Sequence, residues 1–152
     1  MAIYSPGKVI FDKMENKEHR KMENFDIKKL IKYWADLSDY DFVTAGFMLK
    51  AKRFPYCLFM CHLSIEKLLK ALIVKSAKKH APYSHNLVDL AKRTKIDFSE
   101  ESKMLLADLT EFNLEARYPE WQKNFYSKCS RGYAKDYFQK TKKFQKWLKK
   151  YL

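Results

Sequence analysis

The sequence predicts an all-α fold, an up-and-down bundle of four long helices plus a short helix. Only three glycines and four prolines occur among 152 residues, too few breakers for the many tight turns of a β-sandwich or barrel. Apolar residues recur at three- and four-residue spacing, and 16% of the chain is aromatic. The length suits one domain with a core of its own. We expect residues 25–152 to form this bundle and residues 1–24, where opposite charges surround few apolar groups, to be a flexible N-terminal arm.

The first two helices are predicted from their apolar patterns. The first runs from about Asp26, which suits an N-cap, to Ala51. Asp41 interrupts its apolar stripe, and this carboxylate needs solvent or a partner because an unpaired buried charge is costly. Pro55 suits the first turn of the second helix, "PYCLFMCHLSIEKLLKALIVKSAKK". Apolar residues surround most of its first half, so we expect a central helix with neighbours on several sides.

Two further helices follow a connector, "HAPYSHN". Ser84 or Asn86 can cap a short third helix, "LVDLAKRT". The fourth helix is predicted to start after "DFS", where Glu100 stands three residues after Asp97, the spacing of a capping box. We expect it to stop at Pro119, because the residue before a proline is pushed away from helical angles.

Positive charge is concentrated in the final helix, which we expect Ser130 to open after a loop of about ten residues. The last 23 residues hold eight lysines and arginines against one aspartate, and the chain carries a formal net charge of +13. This balance favours contact with polyanions such as RNA, DNA or nucleotides, or with an acidic protein. A solvated lysine-rich helix surface is the alternative.

The three cysteines fit a reducing cytoplasm better than a disulfide framework. Cys57 and Cys61 share a helix face beside His62, but they lack a second ligand cluster, so we expect core packing and no metal. The N-terminus has no apolar segment of the kind that a secretory signal needs, and the longest apolar run is too short to span a bilayer. We therefore expect a cytoplasmic protein with no cofactor and no membrane association.

Four motifs, in order, resemble those of HEPN domains. "YCLFMCHLSIEKLLKALIV" is similar to the second helix of that family, with a Glu-Lys-x-x-Lys-Ala pattern that begins at Glu66. "YSHNLVDLAKR" is similar to its short His-x-Leu-x-x-Leu helix, which begins here at His85. The first helix is similar to the family's Asp-aliphatic-x-x-Ala pattern at Asp41, and "EARYPEW" resembles the Arg-Tyr-Pro ending of a later helix. The resemblance covers about residues 30–150.

The resemblance implies a prokaryotic helical bundle that pairs as a homodimer. It also implies a small nucleotidyltransferase as an antitoxin-like partner. Many relatives are metal-independent ribonucleases that use an Arg and a His, separated by four to six residues and contributed by both subunits at a dimer cleft. No Arg precedes any of the four histidines of this chain at that spacing. The resemblance therefore favours an Arg-Tyr-Pro branch that binds rather than cuts.

Four residues are candidates for nucleotide or RNA binding. Arg117 offers a planar fork that matches phosphate. Tyr118 beside it can stack on a base, although packing is the plain alternative. Lys67 and Lys70 are candidate anion contacts, and a solvated face or a buried network with Glu66 is the alternative. For Arg117 the alternative is a cation that stabilises the end of its own helix or an ion pair with one of three carboxylates: Glu115, Glu120 or Asp41.

Three functions are compatible with these features. The first is binding of nucleotide or RNA phosphate in a basic dimer cleft near Arg117, as the partner of a small nucleotidyltransferase in a toxin–antitoxin-like pair. The second is a metal-independent toxin ribonuclease with a non-standard catalytic set, such as Arg117 with His85 from either subunit, because a histidine can move the 2′-hydroxyl proton. The third is a structural partner protein with no nucleic-acid role.

Overall fold

Six helices and a closing 3₁₀ turn account for most of the computed structural model, which describes residues 26–152 apart from the side chain of Pro119. The predicted arm, residues 1–24, lies outside the described residues. The long helices are α1 (Ile27–Lys50), α2 (Phe54–Ala77), α4 (Glu100–Arg117) and α6 (Arg131–Leu148), joined by the shorter α3 (Leu87–Arg93) and α5 (Pro119–Lys128), with the 3₁₀ turn at Lys149–Tyr151. No strand occurs between residues 26 and 152, so the predicted all-α bundle is confirmed.

The second helix, α2, is the centre of the bundle, as its apolar pattern predicts. It packs against all five of the other helices. Cys57, Cys61 and Ile65 are fully buried along it, and both cysteines are free thiols inside the core. Burial of a whole helix in this way requires apolar groups on several faces. The prediction that these cysteines serve packing is confirmed.

Three of the predicted helix starts are confirmed by their caps. The Lys28 backbone N–H donates to Asp26 Oδ1 at 3.0 Å. The side chain of Asn86, one of the two predicted alternatives, accepts from Asp89 N–H at 3.1 Å. Ser130 opens α6 by accepting from the backbone N–H three residues later at 3.2 Å. Each side-chain oxygen satisfies a donor that the first turn leaves without a partner.

The predicted capping box of the fourth helix is wrong. Ser99, not Asp97, is the N-cap of α4, and its Oγ accepts from Ser102 N–H at 3.1 Å. Glu100 is therefore the first helical residue rather than the third, so its carboxylate is too early to complete a box. It still lies in the first turn, where a negative charge is favourable.

A second correction concerns the segment after Pro119, where the sequence predicts a loop of about ten residues. The chain forms α5 there instead. Tyr118 is extended (φ −104°, ψ 120°) and is both the C-cap of α4 and the N-cap of α5. A proline ends one helix but also suits the first position of the next, because its missing N–H is not needed there. Phe125 of α5 is buried and stacks on Phe112 of α4, with 5.6 Å between ring centroids.

A buried polar contact fixes the register of α1 against α2. Ser38 Oγ donates to the Ser64 carbonyl at 2.7 Å, and Ser64 Oγ donates to the Ser38 carbonyl at 2.9 Å. Gln145 of α6 adds a hydrogen bond from Nε2 to Ser64 Oγ at 3.1 Å. Trp34 and Asp41 lie one turn to either side of Ser38. This register places them opposite the charged half of α2.

Candidate functional site

The candidate site is built around Glu66, which lies in the middle of α2 with 4% of its surface exposed. Its Oε1 accepts from Lys70 Nζ at 2.8 Å. Its Oε2 lies 3.0 Å from both His62 Nε2 and His85 Nδ1. Burial raises the pKa of this carboxyl, but the hydrogen bonds from His62, Lys70 and His85 outweigh burial and lower the pKa to about 2. Glu66 is therefore an ionised acceptor.

His62 joins this cluster to α4. Its Nδ1 lies 3.0 Å from the carbonyl oxygen of Leu109, and its Nε2 lies 3.0 Å from Glu66 Oε2. The ring is fully buried, so His62 is a hydrogen-bonded core residue.

The two candidate lysines are engaged with carboxylates. Lys70 is buried, pairs with Glu66, and has its Nζ 5.4 Å from the centroid of the Trp34 ring. Lys67 is half-buried and forms an ion pair with the nearly buried Asp41 of α1. Asp41 interrupts the apolar stripe of its helix and therefore needs a partner. Lys67 is that partner. Both lysines therefore belong to buried or half-buried ion pairs, and the alternative of a solvated face is not found for either of them.

His85 lies in the connector between α2 and α3. Its Nδ1 is held by Glu66, and its ring meets the edge of Tyr83 at a centroid distance of 5.6 Å. Its side chain is partly exposed. No hydrogen bond to Nε2 occurs within residues 26–152. The ring is thus fixed through one nitrogen, and the other remains available at the surface.

Arg117 is the last residue of α4 and is exposed. Its guanidinium carbon lies 5.9 Å from the centroid of the Phe59 ring on α2. No carboxylate in the described part of the chain pairs with it: Glu115 pairs with Lys128, and Asp41 pairs with Lys67. The alternative of an ion pair with Glu115, Glu120 or Asp41 is therefore not found.

These groups lie along one face of α2, which we call the α2 strip: Phe59, His62, Glu66 and Lys70, with Arg117 and His85 above it. The spacings of three and four residues put the four α2 side chains on the same face. At 1.5 Å per residue, the contact of Arg117 at Phe59 lies about 10 Å from the contact of His85 at Glu66. The structure thus brings Arg117, Lys70 and His85 to one strip, while Lys67 faces α1.

His62, Glu66 and Lys70 of the strip are buried, and the groups exposed beside it are Arg117 and, in part, His85. Two hollows occur elsewhere on the described surface, of about 330 Å³ between α1 and α6 and about 250 Å³ between α4 and α5. Arg117 lines neither of them. Trp121 lines the second hollow together with Glu111 and Glu115, and it meets the ring of Tyr118 edge-on at 5.9 Å.

Sequence reasoning missed two features of the site. The first is that His62 and His85 both contact Glu66, and the second is that Trp34 lies over Lys70. A signal for the first was present, because His62, Glu66 and Lys70 follow one another at four-residue spacing. No local signal shows that His85, nineteen residues from Glu66, reaches the same carboxylate.

In the portion from residue 26 onwards, no group of three His, Cys, Asp or Glu side chains is arranged to hold a metal ion. None of the helices described there has the length and apolar character required to cross a bilayer.

The helical bundle is that of a known domain family. The family model of the HEPN domain matches residues 31–151, and the chain belongs to the HEPN domain family. Its fold is similar to that of TT1696 from Thermus thermophilus, known from a crystal structure, with a TM-score of 0.69 and 17% sequence identity over 80% of this chain and 98% of that one. No curated protein sequence matches the chain.

Proposed function

We propose that this HEPN-domain protein binds the phosphate groups of a nucleotide or RNA at Arg117, on the exposed edge of the α2 strip. Membership of the family supports a role related to nucleotides or RNA in general. The observation that carries the specific proposal is the unpaired charge of Arg117. This exposed arginine has no carboxylate partner in the described chain, because Glu115 pairs with Lys128 and Asp41 pairs with Lys67. A bound anion would compensate this charge.

Arg117 is the group that would touch the phosphate. It is exposed, it is free of ion pairs with the described carboxylates, and a guanidinium can donate two parallel hydrogen bonds to a phosphate. Its position over the Phe59 ring limits the freedom of the side chain. Lys67 and Lys70 would contribute through their field, because each already binds a carboxylate. The exposed lysines of α6 would attract a polyanion from a distance.

Titration of a labelled RNA with the protein, followed by fluorescence anisotropy at several salt concentrations, tests this proposal. The affinity should fall steeply with salt, and Arg117→Ala should weaken it and reduce the slope of the logarithmic salt plot by about 0.7–0.9, the value for one lost phosphate contact. Arg93→Ala is the matched control, since this exposed arginine already pairs with Asp89. Unchanged binding of the Arg117→Ala variant at low salt would refute the assignment.

A homodimer is part of the proposal, and the outer face of α1 supports it. Tyr33, Tyr40, Val43 and Phe47 are all more than half exposed and follow one another at seven-, three- and four-residue spacing. The helix carries four lysines against three aspartates, so like-charged copies would repel less there than elsewhere on a chain of charge +13. Tyr33 contacts Trp34, which covers Lys70. A second copy on this face would therefore border the α2 strip and turn it into a cleft.

Sedimentation measurements test the dimer. Phe47→Glu should shift the protein towards monomer, whereas Met104→Glu, an equally exposed position on α4, should not. An unaltered dimer in the Phe47→Glu variant would contradict this surface. The small nucleotidyltransferase partner is proposed from the resemblance alone, and copurification with the product of a neighbouring nucleotidyltransferase gene would test it.

Ribonuclease activity is a second candidate, and the contact between Glu66 and His85 favours it. The Glu66 carboxylate, 3.0 Å from Nδ1, orients the ring and leaves Nε2 without a hydrogen-bond partner among the described residues, and a general base needs a ring nitrogen that the substrate can reach. His85 could then take the 2′-hydroxyl proton while that oxygen attacks phosphorus and the 5′-oxygen leaves. The α2 positions that Arg117 and His85 contact are about 10 Å apart along the helix axis. The cleavage site of this candidate would combine Arg117 with His85 from either subunit.

Incubation of RNA with the pure protein and a chelator tests this candidate. The expected products end in 2′,3′-cyclic phosphates, and His85→Asn should abolish them while binding persists. Intact RNA after prolonged incubation with wild-type dimer would exclude the activity and leave the binding proposal in place.

A further inference from the structure

The hollow of about 250 Å³ between α4 and α5, which we call the α4–α5 hollow, is not part of the proposed phosphate site. Its lining residues are Glu111, Glu115, Trp121, Asn124, Phe125 and Lys128. Phe125 is buried, whereas Trp121 is 47% exposed. The hollow therefore combines aromatic rings with carboxylates, and proteins use this combination to bind organic cations.

The charge of the hollow is opposite to that of the chain. The lining carries two carboxylates, Glu111 and Glu115, and one ammonium group, Lys128, a formal balance of −1 in a chain of +13. Glu111 and Glu115 are four residues apart on α4, where like charges repel. Lys128 pairs with Glu115, and Glu111 forms no ion pair with any residue between 26 and 152. One negative charge is thus left without a cation.

The contacts of Lys128 show how a cation is held in this hollow. Its Nζ lies 3.2 Å from Glu115 Oε1 and 5.8 Å from the centroid of the Phe125 ring. The second oxygen of Glu115, Oε2, is buried and accepts no hydrogen bond from the described chain. A carboxylate can accept several hydrogen bonds, and a buried polar atom without a donor is uncommon in folded proteins. Glu115 is therefore under-bonded even with Lys128 in place.

The size and the lining of the hollow fit one arginine side chain. Its volume is below the range of about 300–1,000 Å³ that is usual for pockets of small molecules, so it suits a single group. A guanidinium is planar and can stack on the exposed Trp121 ring, while its five N–H donors can serve both carboxylates. A metal ion fits less well, because the described residues offer no group of three suitable ligands.

We propose that the α4–α5 hollow binds an arginine side chain of another polypeptide, with Glu111 and Glu115 as acceptors and Trp121 as the stacking surface. Charge complementarity supports this occupant, since an arginine would neutralise the excess carboxylate. Copies of a chain of charge +13 repel one another, so the partner is a different polypeptide and a second copy is the competing occupant. This inference goes beyond the proposed function, because a hollow of negative charge repels phosphate.

The test uses two blocked tripeptides, acetyl-Gly-Arg-Gly-amide and its citrulline analogue, which keeps the shape of arginine and lacks the charge. Each is titrated into ¹⁵N-labelled protein and followed by NMR at the Trp121 indole N–H and the Asn124 side-chain amide. Only the arginine peptide should shift both signals. Glu111→Gln should weaken its binding about 1.4- to 5-fold, the range for one exposed ion pair, and Trp121→Ala about 2- to 5-fold, the range for one exposed cation–π contact. Glu101→Gln, at another exposed carboxylate of α4, is the control.

The variant Lys128→Met separates a binding site from a merely structural contact. It removes the ammonium that competes for Glu115, so it should tighten binding of the arginine peptide. Equal binding of the arginine and citrulline peptides, or a Lys128→Met protein that binds no more tightly than wild type, would overturn the inference. If the arginine peptide converts a dimer into monomers during sedimentation, a second copy occupies the hollow and the assignment to a different polypeptide is wrong. The peptide carries no phosphate, so failure of RNA binding would leave these results unaffected.

Discussion

Replacement of Glu66 by glutamine is the most direct test of the charge arrangement in the α2 strip. Glu66→Gln keeps the size of the side chain and removes one negative charge from a residue that is 4% exposed. Lys70 would remain buried without a counter-ion, and His62 and His85 would lose the carboxylate that they contact. The expected result is a large loss of stability, because the cost of an uncompensated buried charge exceeds that of a lost neutral contact.

Two estimates of the loss agree. The pKa of Glu66 falls from 4.5 to about 2, and 1.36 kcal/mol per unit of pKa gives about 3 kcal/mol in favour of the folded state near neutral pH. Breaking a buried ion pair by removing one partner costs about 3–5 kcal/mol in other proteins. For a domain of this size, 3 kcal/mol corresponds to a decrease in Tm of about 6–12 °C.

The dependence on pH has a definite sign. The folded state lowers the pKa of Glu66, so its contribution is complete above the unfolded pKa of about 4.5 and is lost as the pH falls towards 2. The difference between wild type and Glu66→Gln should therefore be largest near neutral pH and should shrink between about pH 4.5 and pH 2.

Urea unfolding followed by circular dichroism at several pH values measures this difference. Glu111→Gln on α4 is the control, since Glu111 is exposed and forms no ion pair with any described residue. The double variant Glu66→Gln/Lys70→Met should recover part of the loss, because it removes the cation that the single variant leaves without a counter-ion. A Glu66→Gln protein within about 0.5 kcal/mol of wild type, the range of ordinary surface substitutions, would show that the reasoning about buried charge is wrong.

Three further predictions concern the rest of the bundle. Ser99→Ala should reduce the free energy of unfolding by about 1 kcal/mol in urea, because Ser102 N–H loses its cap; an unchanged midpoint would contradict the corrected start of α4. Lys67→Met should cost about 2–3 kcal/mol by leaving Asp41 without its charged partner, and Lys67→Met/Asp41→Leu should recover most of it; equal stability of both variants would refute the pairing. Burial raises the pKa of the Cys129 thiol to about 12, so a thiol reagent should modify it in native protein only as fast as the protein opens, and a fast reaction would refute this.

The fold was predictable to the extent that local patterns determine it. The caps at Asp26 and Ser130 and the continuous apolar surface of α2 depend on neighbouring residues, and all three were predicted correctly. The helix α5 was missed because Pro119 satisfies two rules at once, and only tertiary packing selects between them. Burial of Phe125 against α4 turns a segment of modest helix propensity into a helix.

The candidate site was predictable in its residue types but not in its pairings. Asp41 and Lys67 are 26 residues apart, and they meet only because the contact between Ser38 and Ser64 sets the register of their helices. Arg117 has a carboxylate two residues before it, yet Glu115 pairs with Lys128 of α5, the helix that the sequence did not indicate. An error in one helix therefore became an error in the expected partner of a charged residue.

These pairings decide which cations a ligand can use. A net charge of +13 alone predicts diffuse attraction, in which every exposed lysine contributes and its contribution falls with its distance from the ligand. In the bundle, Lys67 and Lys70 are neutralised locally by Asp41 and Glu66. With Glu115 engaged elsewhere, Arg117 remains unpaired at the edge of the same strip. Affinity for an anion should therefore depend more on Arg117 than on any single lysine of α6, although those lysines are more numerous.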